Sequence, residues 1–120
     1  MEHLTSEQIG ELRRRLEDER RALLERAGAF VSESADFSVD SGDRQDQAAL
    51  EAARAAVAGL ATHDREQLAE IEAALQRIVA GTYGVCEESD EPIPFARLRL
   101  QPTARYTVEA QAELEREARR

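Results

Sequence analysis

A mainly α-helical fold, a long antiparallel coiled-coil hairpin followed by a small globular region and a C-terminal helix, is what three features of this sequence predict. Two stretches carry apolar residues at helical spacing, a polar segment rich in turn formers separates them, and all three prolines fall after residue 90. Charged residues make up 34% of the 120-residue chain and aromatic residues 4%. That is too polar for a large globular core and suits extended helices that each bury one stripe.

The first helix starts at Thr5, whose hydroxyl and the Gln8 side chain stand at the spacing of a capping box. Ile9, Leu12, Leu16, Leu23, Ala27 and Phe30 then recur at intervals of three, four and seven, a single seam reaching to about Val31. Glu11 with Arg15, and Glu17 with Arg21, are spaced for ion pairs on the outer faces. Residues 32–42, SESADFSVDSG, collect serine, aspartate and glycine, whose short side chains compete for backbone hydrogen bonds and favour a turn. A second helical pattern begins near Asp43 and carries Leu50, Ala53, Val57, Leu60, Leu68, Ile71, Leu75 and Ile78, interrupted near Asp64 and stopped by Gly81. As one helix it would be about 55 Å long. Two such seams joined by one turn bury each other most simply as a hairpin. The expected division is therefore a hairpin over residues 1–80, with an acidic tip near 32–48, and a second region over 81–120. There Pro92, Pro94 and Pro102 preclude a long helix, and Thr103 can cap a final one from about Ala104 to Ala118.

The net charge of -9 argues against direct DNA binding, since phosphate contacts require a cationic face. The N-terminus shows no apolar leader, and no run is long enough to cross a bilayer, so a cytoplasmic protein without a membrane role is expected. A single cysteine, Cys86, permits no internal disulfide.

Cys86 also frames the most specific pattern in the chain. Three residues beyond it lies Ser89, and a second pair at the same spacing falls at Thr107 and Ala110, within GTYGVCEESDEPIPFARLRLQPTARYTVEAQ (residues 81–111). Gly81, Tyr83, Gly84, Cys86, Ile93, Arg97, Leu98, Pro102, Thr103 and Ala104 resemble the C-terminal module of the DksA/TraR family of bacterial RNA polymerase regulators. In most of that family the four positions are cysteines that hold zinc. Here Cys86, Ser89, Thr107 and Ala110 form a degenerate zinc-finger-like frame, and zinc is not expected: alanine offers no ligand atom and neutral hydroxyls are poor zinc donors. A finger without its metal needs another source of order. Tyr83, Val85, Ile93, Phe95, Leu98, Leu100, Tyr106, Val108 and Leu114 are the apolar candidates. Glu87, Glu88, Asp90 and Glu91 beside Cys86 are expected to raise its thiol pKa by like-charge repulsion, favouring an inert relic over a redox sensor.

At the other end of the second helical pattern, Asp43, Asp46 and Ala48 in DRQDQA have two readings. Acids at a helix N-terminus serve as caps that the helix dipole stabilises. The resemblance implies more, because these residues match the Asp-x-x-Asp-x-Ala motif of the coiled-coil tip in the DksA/TraR family. In that family the coiled coil enters the secondary channel of RNA polymerase and its acidic tip modulates promoter complexes near the catalytic centre, without DNA contact and without catalysis. The match extends over residues 43–111 and reaches the first helix only in character. His63, Asp64, Arg65 and Arg97 are further candidate polymerase contacts, although the residues by themselves favour a solvated face for His63 to Arg65. Family members that respond to the stringent-response nucleotide ppGpp carry basic residues where this chain has Glu70, Gln101 and Gln111, so a weak or absent ppGpp response is expected. Two rivals remain at this level. One is a transcript-cleavage factor of the same channel whose paired acids hold a magnesium ion; the other is a helical adaptor with no polymerase role.

Overall fold

In the computed structural model the described residues are 1–28 and 44–120, with side chains described from residue 47 in the second stretch. Phe30, Val31, the turn segment and Asp43 therefore lie outside the described residues, as does the side chain of Asp46. The elements are α1 (Ser6–Arg26), α2 (Arg44–Ala58), α3 (Thr62–Ala80), α4 (Phe95–Leu100) and α5 (Val108–Ala118). The described part of the fold is mainly helical, as predicted; its only β pairing is an isolated antiparallel bridge between Val85 and Pro92.

The start of α1 follows the sequence closely. The Thr5 amide donates to Gln8 Oε1 (2.9 Å) and the Gln8 amide donates to Thr5 Oγ1 (3.0 Å), a reciprocal capping box. Leu12, Leu16 and Leu23 are buried along the expected seam, joined by Leu24, while Ile9 and Ala27 are half-buried. On its outer face Glu17 pairs with Arg13 (3.4 Å), and Arg21 with Asp18 (3.8 Å).

The second helical pattern is two helices rather than one. α2 ends at Ala58, and the Gly59 amide splits its hydrogen bond between the Ala55 and Ala56 carbonyls (3.2 and 3.1 Å) while Leu60 N–H closes on Val57. This tightening into i→i+3 bonds is how helices end. Glycine costs a helix interior about 1 kcal/mol relative to alanine, which concentrates the break at Gly59. Asp64, where the seam was expected to falter, instead lies in the acidic first turn of α3. Packing follows the same division. Leu68, Ile71, Ala74 and Ile78 of α3 are buried, whereas Leu50 of α2 is 37% exposed and no side chain described in α2 is fully buried.

The chain divides into two compact units, one of Met1–Glu17 with Glu70–Arg120 and one of Asp18–Ala69. These boundaries cut across α1 and α3. In the second unit Arg26 near the end of α1 pairs with Asp64 near the start of α3 (3.6 Å). The first unit holds most of the core: Leu4, Leu12, Leu16, Ile71, Ala74, Ile78, Tyr83, Cys86, Ile93, Leu98 and Ala104.

Gly81 stops α3 as predicted. Its φ of +78° places it in the left-handed region, and the Thr82 and Tyr83 amides both return to the Arg77 carbonyl (2.9 and 3.2 Å). Two later elements depart from expectation. α4 occupies the stretch between Pro94 and Pro102, where proline only opens the helix: Pro94 sits at its N-cap with φ -58°, a position that needs no amide donor. The last helix starts at Val108 and is capped by Thr107, whose hydroxyl accepts from Ala110 N–H (3.2 Å); the residues from Ala104 to Tyr106 are not helical.

Candidate functional site

The degenerate finger frame is the best-described candidate. Cys86, the first ligand position, is fully buried. Its amide donates to the Glu91 carbonyl (2.8 Å) and its carbonyl accepts from Asp90 N–H (2.9 Å), closing a tight loop over Cys86–Glu91 in which Asp90 has φ 59°. The Thr107 amide donates to Cys86 Sγ (3.4 Å), and the Thr107 hydroxyl lies 3.9 Å from the same sulfur. Ala110 N–H turns to Thr107 Oγ1. Three of the four frame positions, Cys86, Thr107 and Ala110, are thus joined in a chain of hydrogen bonds, and Ser89 adds its own side-chain bond to Cys86.

This arrangement reverses the expected titration of the thiol. Burial pushes the Cys86 pKa up, but hydrogen bonds from the Ser89 side chain and from the backbone of Thr107, Ser89 and Glu88 outweigh it, bringing the value down to about 7 from an ordinary 9.0. The neighbouring acids do not decide the outcome, because donors aimed at the sulfur act at shorter range than solvated carboxylates. A folded-state pKa below the unfolded value contributes stability that is present above pH 9 and lost as pH falls through 7. The melting temperature of the wild type relative to a Cys86→Ala variant is therefore expected to rise between pH 7 and 9; parallel curves would show that the thiolate is not preferred by the fold.

The donor set does not fit zinc. One thiol, two neutral hydroxyls and an alanine cannot supply a tetrahedral site, and among the described residues no three His, Cys, Asp or Glu side chains converge as ligands.

Around this frame the expected apolar replacements separate into two groups. Tyr83, Ile93 and Leu98 are buried, and Val85, Phe95, Tyr106 and Leu114 are half-buried. Leu100 and Val108 point outward, 85% and 58% exposed, because α4 and α5 each turn the opposite face to the core. Tyr83 is the largest fully buried side chain; its hydroxyl donates to the Pro102 carbonyl (2.7 Å), and burial pushes its pKa up to about 12. Contacts from the start of the chain complete the packing, with Leu4 buried and His3 Nε2 donating to the Ile93 carbonyl (2.7 Å). Nothing in the local pattern of residues 1–4 signals this partnership.

Electrostatics nearby are self-contained. Arg105 grips Glu70 through Nε and Nη2 (2.9 and 3.2 Å) and Glu87 through Nη1 (3.0 Å), and its pKa is raised first of all by the Glu70 bond. Gln111 turns to Glu115 (3.1 Å), and Gln101 is exposed. Arg97 is held by the Tyr106 carbonyl (2.8 Å). In the other unit, His63 is 89% exposed beside Asp64, which takes Arg26, and Arg65 reaches the Thr62 hydroxyl (3.5 Å). Ala48 is exposed in α2, and the backbone of Asp46 lies in its first turn. The structure does not bring these residues together with Arg97 in one unit.

The profile of the prokaryotic dksA/traR C4-type zinc finger matches residues 81–116. The structure of the transcription factor DksA2 from Pseudomonas aeruginosa aligns with a TM-score of 0.65 and 31% identity, covering 96% of this chain and 88% of that one. The chain belongs to the DksA/TraR family. Within the family, the RNA polymerase-binding transcription factor DksA of Caulobacter vibrioides is 43% identical over 77 residues, which span 64% of this chain and 54% of that protein. General stress protein 16O of Bacillus subtilis is 56% identical over 52 residues, 43% of this chain and 32% of its own length. The matched parts thus span between about a third and a half of these curated relatives. DksA/TraR membership accounts for the finger frame; the exchange of ligands for a hydrogen-bonded chain is what this member does with it. No helix among the described residues is long and apolar enough to cross a membrane.

Proposed function

We propose that this chain is a DksA-like transcription regulator that binds RNA polymerase directly through the secondary channel, without enzymatic activity of its own. The observation that carries this reading is the 43% identity over 77 residues to a DksA named for binding RNA polymerase. Asp43, Asp46 and Ala48 act as the tip that modulates promoter complexes, and carboxylates there bias the basic groups and metal environment of the polymerase centre. His63, Asp64, Arg65 and Arg97 are auxiliary contacts. The protein works in the cytoplasm and makes no contact with DNA. Glu70, already neutralised by Arg105, together with Gln101 and Gln111, leaves little field for a polyanion, so the response to ppGpp is weak.

In vitro transcription with purified polymerase tests the central claim. Asp43→Asn with Asp46→Asn is expected to keep polymerase binding, within about threefold in Kd, and to abolish the effect on promoter complexes. Loss of binding together with the effect would reassign the acids to docking, and an adaptor with no polymerase role would fail to bind in either form. Accelerated cleavage of backtracked transcripts by the wild type would favour the cleavage-factor reading instead.

The regulator also folds without zinc. Chelation by EDTA is expected to leave the melting temperature unchanged, whereas a structural zinc contributes on the order of 10 kcal/mol to folding and its removal would lower that temperature steeply.

A further inference from the structure

The first compact unit carries an open groove of about 630 Å³ lined by Arg15 of α1 and by Phe95, Ala96, Arg99 and Leu100 of α4. Its making follows from the short helix. Leu98 is fully buried, so α4 fixes that face in the core and turns Leu100 out to solvent, 85% exposed. Arg15 Nη1 donates to the Arg99 carbonyl and ties the end of α4 to α1. The Arg99 guanidinium itself meets no acid among the described residues.

The sequence that forms most of this groove is locally basic. The chain has 25 acidic residues, yet none falls between Pro92 and Val108, a stretch that contains Arg97, Arg99 and Arg105. Arg97 and Arg105 are engaged by the Tyr106 carbonyl and by Glu70 and Glu87, whereas Arg99 is exposed and lines the groove. An exposed leucine beside an arginine, over a half-buried phenylalanine, combines an apolar seat with a carboxylate anchor. On a chain of charge -9 an acidic segment meets no acidic neighbour in this stretch of sequence.

We infer that this groove is a second docking surface for RNA polymerase, which seats a short acidic segment whose apolar side chain enters beside Phe95 and Leu100 and whose carboxylate pairs with Arg99. The inference rests on the polymerase-binding reading and adds a contact independent of the tip. Its test is the affinity for immobilised core polymerase, measured by biolayer interferometry. Arg99→Glu combined with Leu100→Ser is expected to weaken binding about tenfold, and Arg99→Lys by less than about threefold. The defect of Arg99→Glu alone, relative to wild type, narrows as salt rises. Both side chains are exposed, so the melting temperature is expected to hold; should the double variant fold poorly, Arg99→Glu alone carries the test. Wild type that binds while the folded double variant binds within about twofold of it overturns the groove and leaves the polymerase reading standing. Wild type that does not bind at all overturns both.

Discussion

Tyr83→Ala is expected to cost about 3 to 5 kcal/mol, enough to unfold the finger unit at ordinary temperature. Tyr83 is fully enclosed in the core around the former metal frame, among Cys86, Ile93 and Leu98, and its hydroxyl is spent on the Pro102 carbonyl. Alanine removes the ring and leaves a cavity that helices anchored at several points cannot collapse to fill. Tyr83→Phe keeps the ring and strands one carbonyl, at a cost of about 1 to 2 kcal/mol. Urea unfolding of the three proteins checks the ranking, and equal stability of the alanine and phenylalanine variants would mean that the hydroxyl rather than the ring organises the site. The same side chain sets an alkaline limit. Its pKa of about 12 lies above the ordinary 10.0, so stability is intact below pH 10 and declines as pH rises toward 12, where only the unfolded chain ionises readily. Tyr83→Phe removes that part of the alkaline decline.

Gly84→Ala is the second large effect, at about 2 to 4 kcal/mol. Two penalties add. Gly84 has φ +80°, which an L-residue adopts only at a cost of about 1 to 2 kcal/mol. A Cβ there would stand 3.1 Å from Leu4 Cδ1 and 3.3 Å from His3 Cε1, pressing on the segment that closes the core from the start of the chain. Shortening Leu4 in a Gly84→Ala/Leu4→Ala double mutant separates the two terms. If the contact matters, the double mutant loses less than the sum of the single costs; strict additivity would assign the whole effect to the backbone.

Where local chemistry decides, the sequence announced the structure. The Thr5–Gln8 capping box, the stop at Gly81 and the buried seam through Leu12, Leu16, Leu68, Ile71 and Ile78 all follow from residues within one or two turns of each other. The misses have a common cause as well. Periodicity ran through Gly59 because the apolar spacing persists on both sides of it, and only the doubled hydrogen bond at its amide shows the break. Thr103 and Thr107 are equally good caps on paper; the chain chooses Thr107 because its amide is also held by Cys86 Sγ, 21 positions away in sequence. For the Cys86 thiol the charges of its acidic neighbours are visible in sequence, whereas the aim of its donors, first the Ser89 side chain and then the Thr107 backbone, is set only by the fold. α4 was hidden by prolines at both of its edges, which read as breakers when one of them is an opener. The tip acids remain legible only through family resemblance, Asp43 lying outside the described residues.

The first compact unit is assembled from the two ends of the chain, residues 1–17 and 70–120, with residues 18–69 inserted between them. During synthesis residues 1–17 must therefore wait for their partners until residues 70–120 have emerged. Loss of residues 1–17 or of residues 70–120 strikes the same core. The inserted stretch is under a different regime. It continues α1 and α3 beyond the finger unit rather than forming a flexible loop, so its length is set by those helices and not by the small entropy of loop closure.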